Sequence, residues 1–326
     1  RKKLQALDPP RNGSTGSRLL SGNSVFHEEV ESRLAGIFES EAALLFSSGY
    51  MANLAVLSSL PQRGDTILLD ELSHACMKDG ARLSMATRHS FRHNDLEDLE
   101  RKLKKAAGKI FIAVESIYSM DGDQCPLGSL VTLAEKYDAH IILDEAHSTG
   151  VLGPSGNGMA ASLGLTPRIA VRVHTFGKAM GIHGACVAGS DKVKQFLINF
   201  ARPFIYTTAP DFHSLFSIEE SFRFLEENIA MQAQLAEKIM LFSDHTQMLT
   251  TRKKSNSPVQ CIIVPGNHQA AEASMTLQQH GFDVRAILSP TVPKGQERLR
   301  ICVHVFNTDD EIIRLAGTLN SLAAAW

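Results

Sequence analysis

The chain has 326 residues, 44% of them hydrophobic and 21% charged, the balance of a globular protein with material for about two domains of ordinary size. A formal net charge of -2 supplies no basic field for the phosphates of DNA or RNA, which excludes general nucleic-acid binding. Five scattered cysteines without a Cys-x-x-Cys pair argue against a disulfide framework or a thiolate zinc site and for a reducing, cytoplasmic setting; no apolar leader and no long apolar run suggest secretion or a membrane span.

Short β-branched apolar runs alternate with longer helical patterns, which predicts an α/β fold with a mostly parallel central sheet flanked by helices. Residues 46–53 (FSSGYMAN) read as an apolar run, a Ser-Ser-Gly turn and a helix start, and free amides at a helix start bind anions. Residues 66–71 form an apolar-acidic run that leads to His74, whose imidazole suits a planar ligand as well as ordinary packing. Residues 109–114 (KIFIAV) predict a buried strand, 127–136 a helix and 140–144 (HIILD) the next strand, together a βαβ unit. Ser119 falls in the turn after the first of these strands, where its hydroxyl serves a ligand or the turn equally well. Further strands are expected at 169–175 and 185–188, then a helix at 191–200.

From about residue 210 the pattern changes to a long helical stretch through Met240, followed by strands at 259–264, 282–287 and 298–303 and a helix at 270–279. Domains are accordingly expected at 13–210 (large) and 211–326 (small, α+β), with residues 1–12 as an N-terminal remnant. The last helix opens on a capping box, Thr308 followed by Glu311. In residues 298–301 (RLRI) strand alternation points Arg298 and Arg300 the same way, and a guanidinium binds a carboxylate through two parallel hydrogen bonds.

The most informative segment is 175–181 (TFGKAMG), a lysine between glycines directly after a predicted strand, where a ligand can approach the backbone closely. Asp144 ends the HIILD strand, at the edge where open α/β sheets place their ligands. An acid there can keep a pyridine nitrogen protonated, which makes such a ring an electron sink. His147, three residues on, is placed for a ring oxygen, and Thr175 for a phosphate. Residues 144–147 also spell D-E-A-H, a metal-binding signature of nucleic-acid helicases. That reading requires an upstream G-x-x-x-x-G-K-[ST], and the sequence has none.

With these motifs, and with GSTGSR at 13–18 followed by Ser21-Gly22, the chain resembles the α-oxoamine synthases. These are fold-type I enzymes dependent on pyridoxal 5′-phosphate (PLP), acyltransferases with the aminotransferase class I/II fold that condense an amino acid with an acyl thioester and release carbon dioxide. The resemblance implies PLP as cofactor and Lys178 as its Schiff-base lysine. It makes Asp144 the partner of the ring nitrogen, His147 of the ring oxygen, and His74 the group stacked on the ring. It also implies Gly49, Tyr50 and Thr175 near the phosphate, Ser119 near the ring, and Arg300 and Arg18 on substrate. Lys178 is then the general base on the substrate α-proton, its pKa lowered by burial.

Thr207 and Thr208 match a threonine lent to the neighbouring subunit's phosphate, which implies a homodimer with shared sites. The partners so implied are an amino acid and an acyl thioester, carried by coenzyme A or an acyl carrier protein. Residues 16–19 and 286–293 look most like the member that joins L-alanine to a pimeloyl group in biotin synthesis. Members using glycine with acetyl-CoA or serine with a long acyl-CoA share the rest of the pattern. Members usually carry an Asn-Asp-Tyr-Leu-Gly-like stretch ahead of the glycine-rich motif, and this sequence has none.

Overall fold

The computed structural model describes residues 13–323; the expected N-terminal remnant, 1–12, lies outside them. Two compact units divide the chain: one runs to Ser116 and resumes over Cys125–Asn228, the other takes Ile117–Gln124 and everything from Ile229 onward.

The first unit is built on a seven-stranded sheet. Its strands are β1 (Ala42–Phe46), β2 (Thr66–Asp70), β3 (Thr87–Phe91), β4 (Ile110–Glu115), β5 (Ala139–Asp144), β6 (Val171–Thr175) and β7 (Ala185–Gly189). The spatial order is β1-β7-β6-β5-β4-β2-β3, and β7 alone runs against the rest. Strands β2 and β4 are buried along their whole length, as parallel strands covered on both faces must be, which is why they read as mostly apolar runs. β3 lies at the edge and is exposed except at Phe91, and its Arg88 and His89 are the polar residues that discourage edge pairing.

The parallel arrangement brings the C-terminal ends of β4, β5 and β6 side by side, so Glu115, Asp144 and Thr175, the last residue of each, stand along one edge of the sheet. The helix Gly49–Ser59 begins two residues after β1 and packs its Ala52, Ala55 and Val56 into the main core with Leu44, Ile67 and Val173. A second core lies around Phe38, Phe176 and Phe222 and includes Leu215 and Ile218. That packing draws the helix Phe212–Glu227 into the first unit, so the division falls after Asn228 and not near residue 210. The expected long helical stretch through Met240 is made of two helices, Phe212–Glu227 and Ala230–His245, and the break coincides with the passage between units.

The second unit carries a three-stranded antiparallel sheet with β10 (Arg298–Cys302) between β8 (Val259–Ile263) and β9 (Arg285–Ile287). Its core joins Phe242, Ile262, Leu277, Leu299, Ile312 and Leu319. The capping box closes as expected: Glu311 N–H donates to Thr308 Oγ1 at 3.2 Å and Thr308 N–H to Glu311 Oε2 at 2.9 Å. No helix among the described residues is long and apolar enough to cross a membrane.

Candidate active site

A cavity of about 240 Å³ opens at the C-terminal edge of the large sheet, lined by residues that include Ser48, Gly49, Tyr50, Asn53, His74, Glu115, Asp144, Thr175 and Lys178. Its floor is buried, formed by Asn53, Cys76, Glu115, Asp144 and Thr175, while Tyr50, His74, Lys178 and His183 stand exposed around the rim. The topology explains the grouping, since every parallel strand delivers its following loop to this edge.

Asp144 is held on both oxygens. Oδ1 accepts from the Ala146 N–H at 2.7 Å, and Oδ2 from Asn53 Nδ2 at 2.7 Å. Asn53 also donates to the Gly49 carbonyl at 3.2 Å, tying the carboxylate to the first turn of the helix that begins there. The acid is thus oriented by two fixed donors before any ligand arrives.

The helix start has the geometry of an anion site. Ser48 is its N-cap and accepts from Met51 N–H, which leaves the first-turn amides of Gly49 and Tyr50 without intrahelical acceptors. A methyl group at Gly49 would meet Thr175 Cγ2 at 2.3 Å, so only glycine lets the threonine come this close. Thr175 Oγ1 is buried and has no hydrogen-bond partner among the described residues, a hydroxyl ready to donate. Tyr50 Oη donates to Asp79 Oδ2 at 2.5 Å, and that hydrogen bond raises its pKa.

His74 caps the helix Ala75–Leu83, its Nδ1 accepting from Cys76 N–H at 3.2 Å. With that lone pair engaged, a neutral ring carries its proton on Nε2. Desolvation, then the nearby charge of Lys178, lowers its pKa and favours the neutral form. Lys178, expected to be buried, is exposed, because it stands on the loop two residues beyond the buried Phe176, at the cavity rim.

The remaining expected residues are placed as follows. His147 is half-buried on the turn after β5 and is not among the cavity-lining residues; neither are Thr207 and Thr208. Ser119 and Arg300 belong to the second unit, where Arg300 Nε donates to the Ser119 carbonyl at 2.7 Å and Nη1 to Cys302 Sγ at 3.1 Å. Arg298 points to the same segment and pairs with Asp121. Arg18 is likewise not among the cavity-lining residues. Its Nη1 pairs with the buried Glu31 at 2.6 Å and its Nε donates to Asn23 at 2.7 Å. Burial alone would raise Glu31, but Arg18 and Lys194 hold it below its ordinary value.

Alternation along the strand sends the two acids of the D-E-A-H segment to different surroundings. Asp144 faces the cavity, whereas Glu145 is fully buried and accepts from Met159 N–H at 2.9 Å, Ala160 N–H at 2.8 Å and Ser148 Oγ. A Cβ at Gly158 would sit 2.8 Å from its Cδ. Glu145 anchors a loop and has no approach for a metal-bound nucleotide. Asn53 and Glu115 were not singled out from the sequence. The Asn that closes FSSGYMAN is the one local sign of the first, and Glu115 at the end of the KIFIAV strand of the second.

The cavity's residues fit PLP: an acid oriented by two donors, a helix start with a spare hydroxyl, and a lysine at the rim. The aminotransferase class I and II family model matches residues 2–319. An 8-amino-7-oxononanoate synthase from Emericella nidulans is 40% identical over 94% of this chain and 80% of its own length, and one from Chromobacterium violaceum is 42% identical over 91% and 78%. Among solved structures, a serine palmitoyltransferase from S. paucimobilis with bound PLP-myriocin superposes with a TM-score of 0.93 at 29% identity, covering 99% of this chain and 82% of that one. The 8-amino-7-oxononanoate synthase from Francisella tularensis gives 0.81 at 30%, covering 95% and 88%. The backbone superposes better on this palmitoyltransferase than on the Francisella synthase, while identity favours the oxononanoate synthases; identity carries more weight, because a shared fold says little about substrate. The chain is a PLP-dependent enzyme of the aminotransferase class I and II family and belongs to its α-oxoamine synthase branch.

Proposed function

We propose that the chain condenses L-alanine with a pimeloyl thioester to give 8-amino-7-oxononanoate, carbon dioxide and the free thiol, a step of biotin biosynthesis. The observation that carries the reading is that Lys178, Asp144 and the Gly49–Thr175 helix start line one cavity, in a chain about 40% identical to enzymes of that name. PLP bound there supplies an electron sink for the carbanion formed at the amino acid α-carbon.

The residues divide the work. The Gly49 and Tyr50 amides and Thr175 Oγ1 hold the phosphate; Asp144, kept in place by Asn53 and Ala146, keeps a proton on the ring nitrogen. His74 would serve as the group against the ring, and His147 and Ser119 as its hydrogen-bonding partners. Lys178 Nζ would attach the cofactor, and as a free amine it would take the α-proton of the amino acid and return one to the product. Its place at the rim lets Nζ leave and re-enter without rearranging the buried floor. Arg300 binds the substrate carboxylate. Thr207 or Thr208 reaches the phosphate of a second copy in a homodimer, and five cysteines without a disulfide suit the cytoplasm.

Purified protein is expected to gain a visible absorbance on adding PLP, to lose that response in Lys178→Ala, and to form product from L-alanine and pimeloyl thioester. Protein that folds but stays colourless with PLP refutes the reading. The palmitoyltransferase superposition favours a second reading, a sister enzyme using serine or glycine. Turnover of alanine, glycine and serine against short and long thioesters separates the two, and faster turnover of serine with a long acyl-CoA would select the sister enzyme.

A further inference from the structure

The roles proposed for Lys178, Asp144 and Thr175 leave a buried cavity carboxyl unused, Glu115. Its Cα stands opposite that of Asp144 in the register of β4 and β5; both side chains line the cavity, and they are 3% and 4% exposed. Two carboxyls side by side in a buried wall do not both ionise cheaply, and the pair settles on one charge. Donor geometry decides which. Asp144 accepts on both oxygens, whereas Glu115 Oε1 accepts from the His74 N–H at 2.6 Å and no other donor to Glu115 is found among the described residues.

The charged and titratable neighbours weigh the same way. Asp144 from β5 and Asp70 from β2 repel a charge on Glu115, and Lys178 from the loop after β6 favours one. Cys76, at the helix start beside His74, is neutral, its thiol pushed up to about 12 by burial. Burial is the largest influence on Glu115 and Asp144 the next, and together they push it up to about 8.

We propose that Glu115 is a positioning residue that works uncharged: its protonated carboxyl holds the main chain at His74 and leaves Asp144 as the one anion opposite the ring nitrogen. The proposal rests on the PLP reading of the cavity, and its first test does not require turnover.

Infrared difference spectra of the wild-type protein, with and without PLP, are expected to show a protonated-carboxyl band that disappears as pH rises through about 8 and is missing in Glu115→Gln. Glutamine keeps an acceptor for His74 N–H but cannot ionise, whereas alanine strands that buried donor. At pH 7, Glu115→Gln is expected to retain about tenfold more kcat/KM than Glu115→Ala, and the alkaline limb of its pH profile moves up. A wild-type protein without a titrating acid band, a Gln variant as impaired as the Ala variant, or an unmoved alkaline limb would each overturn the proposal. Protein that shows the band but takes up no PLP would fail the functional reading and leave the protonation state of Glu115 established.

Discussion

Gly49→Ala tests the anion site most directly. The backbone of Gly49 is helical, so alanine has no conformational penalty there, and the new methyl meets Thr175 Cγ2 at 2.3 Å and Thr175 Cβ at 3.2 Å where ordinary contact begins near 3.4 Å. Relief demands that the threonine move by about 1 Å, and overpacking of this kind costs about 1–3 kcal/mol. Thr175 carries the unpartnered hydroxyl, so the displacement falls on PLP binding, and the dissociation constant is expected to rise about fivefold to 150-fold. Thr175→Ser removes the clashing Cγ2 and keeps the hydroxyl. The double variant should therefore bind PLP better than Gly49→Ala alone, with a coupling energy of about 1 kcal/mol or more. PLP titration by absorbance on the four proteins reads the cycle. Additive effects, or an unchanged dissociation constant in Gly49→Ala, would refute the contact as the cause.

Asn53→Ala removes a donor from a buried carboxylate, at a cost of about 1.5–3 kcal/mol; PLP affinity is expected to fall at least about tenfold with the fold retained, and an unchanged titration would remove Asn53 from the positioning of Asp144. Glu145→Gln cannot accept from Met159, Ala160 and Ser148 at once, so thermal melts should lose several degrees, from about 1–3 kcal/mol, and a melt equal to wild type would contradict the anchoring role. The pH dependence of stability follows from Glu115. Its folded pKa lies above its unfolded value, so folding retains a proton that the unfolded chain releases, and stability falls by up to about 1.4 kcal/mol per pH unit as pH rises from near 4.5 toward 8. Glu115→Gln escapes this loss, and its melting advantage over wild type should widen from pH 6 to 8; a constant difference would show that the side chain titrates normally.

Periodicity and turn chemistry made the elements around the site readable. The helices Leu127–Lys136 and Asp191–Phe200 match their expected bounds, and Ser48, Asp144, Thr175 and Lys178 fall where strand ends and a helix cap were expected. What could not be read was long-range pairing. Nothing local to Glu115 says that β4 lies against β5 with Asp144 opposite, and nothing near Arg18 announces its pairing with Glu31. The break between the helices Phe212–Glu227 and Ala230–His245 was hidden because Asn228 and Ile229 are compatible with either state. In residues 117–124 the apolar Ile117, Tyr118 and Met120 are interrupted by Ser, Asp and Gly, too short a pattern to show which core they join.

The passage of Ile117–Gln124 through the second unit has a consequence for anyone cutting the protein apart. A fragment ending at Asn228 would keep Asp121 without Arg298 and Ser119 without the Arg300 guanidinium, and a fragment beginning at Ile229 would leave both cations without these acceptors and would lose the Gly122 carbonyl, which accepts from the Ser255 hydroxyl at 2.8 Å. The smaller unit borrows eight residues from the middle of the larger, so its assembly must wait on chain made more than a hundred residues earlier, and neither half is a module that recombination could trade freely.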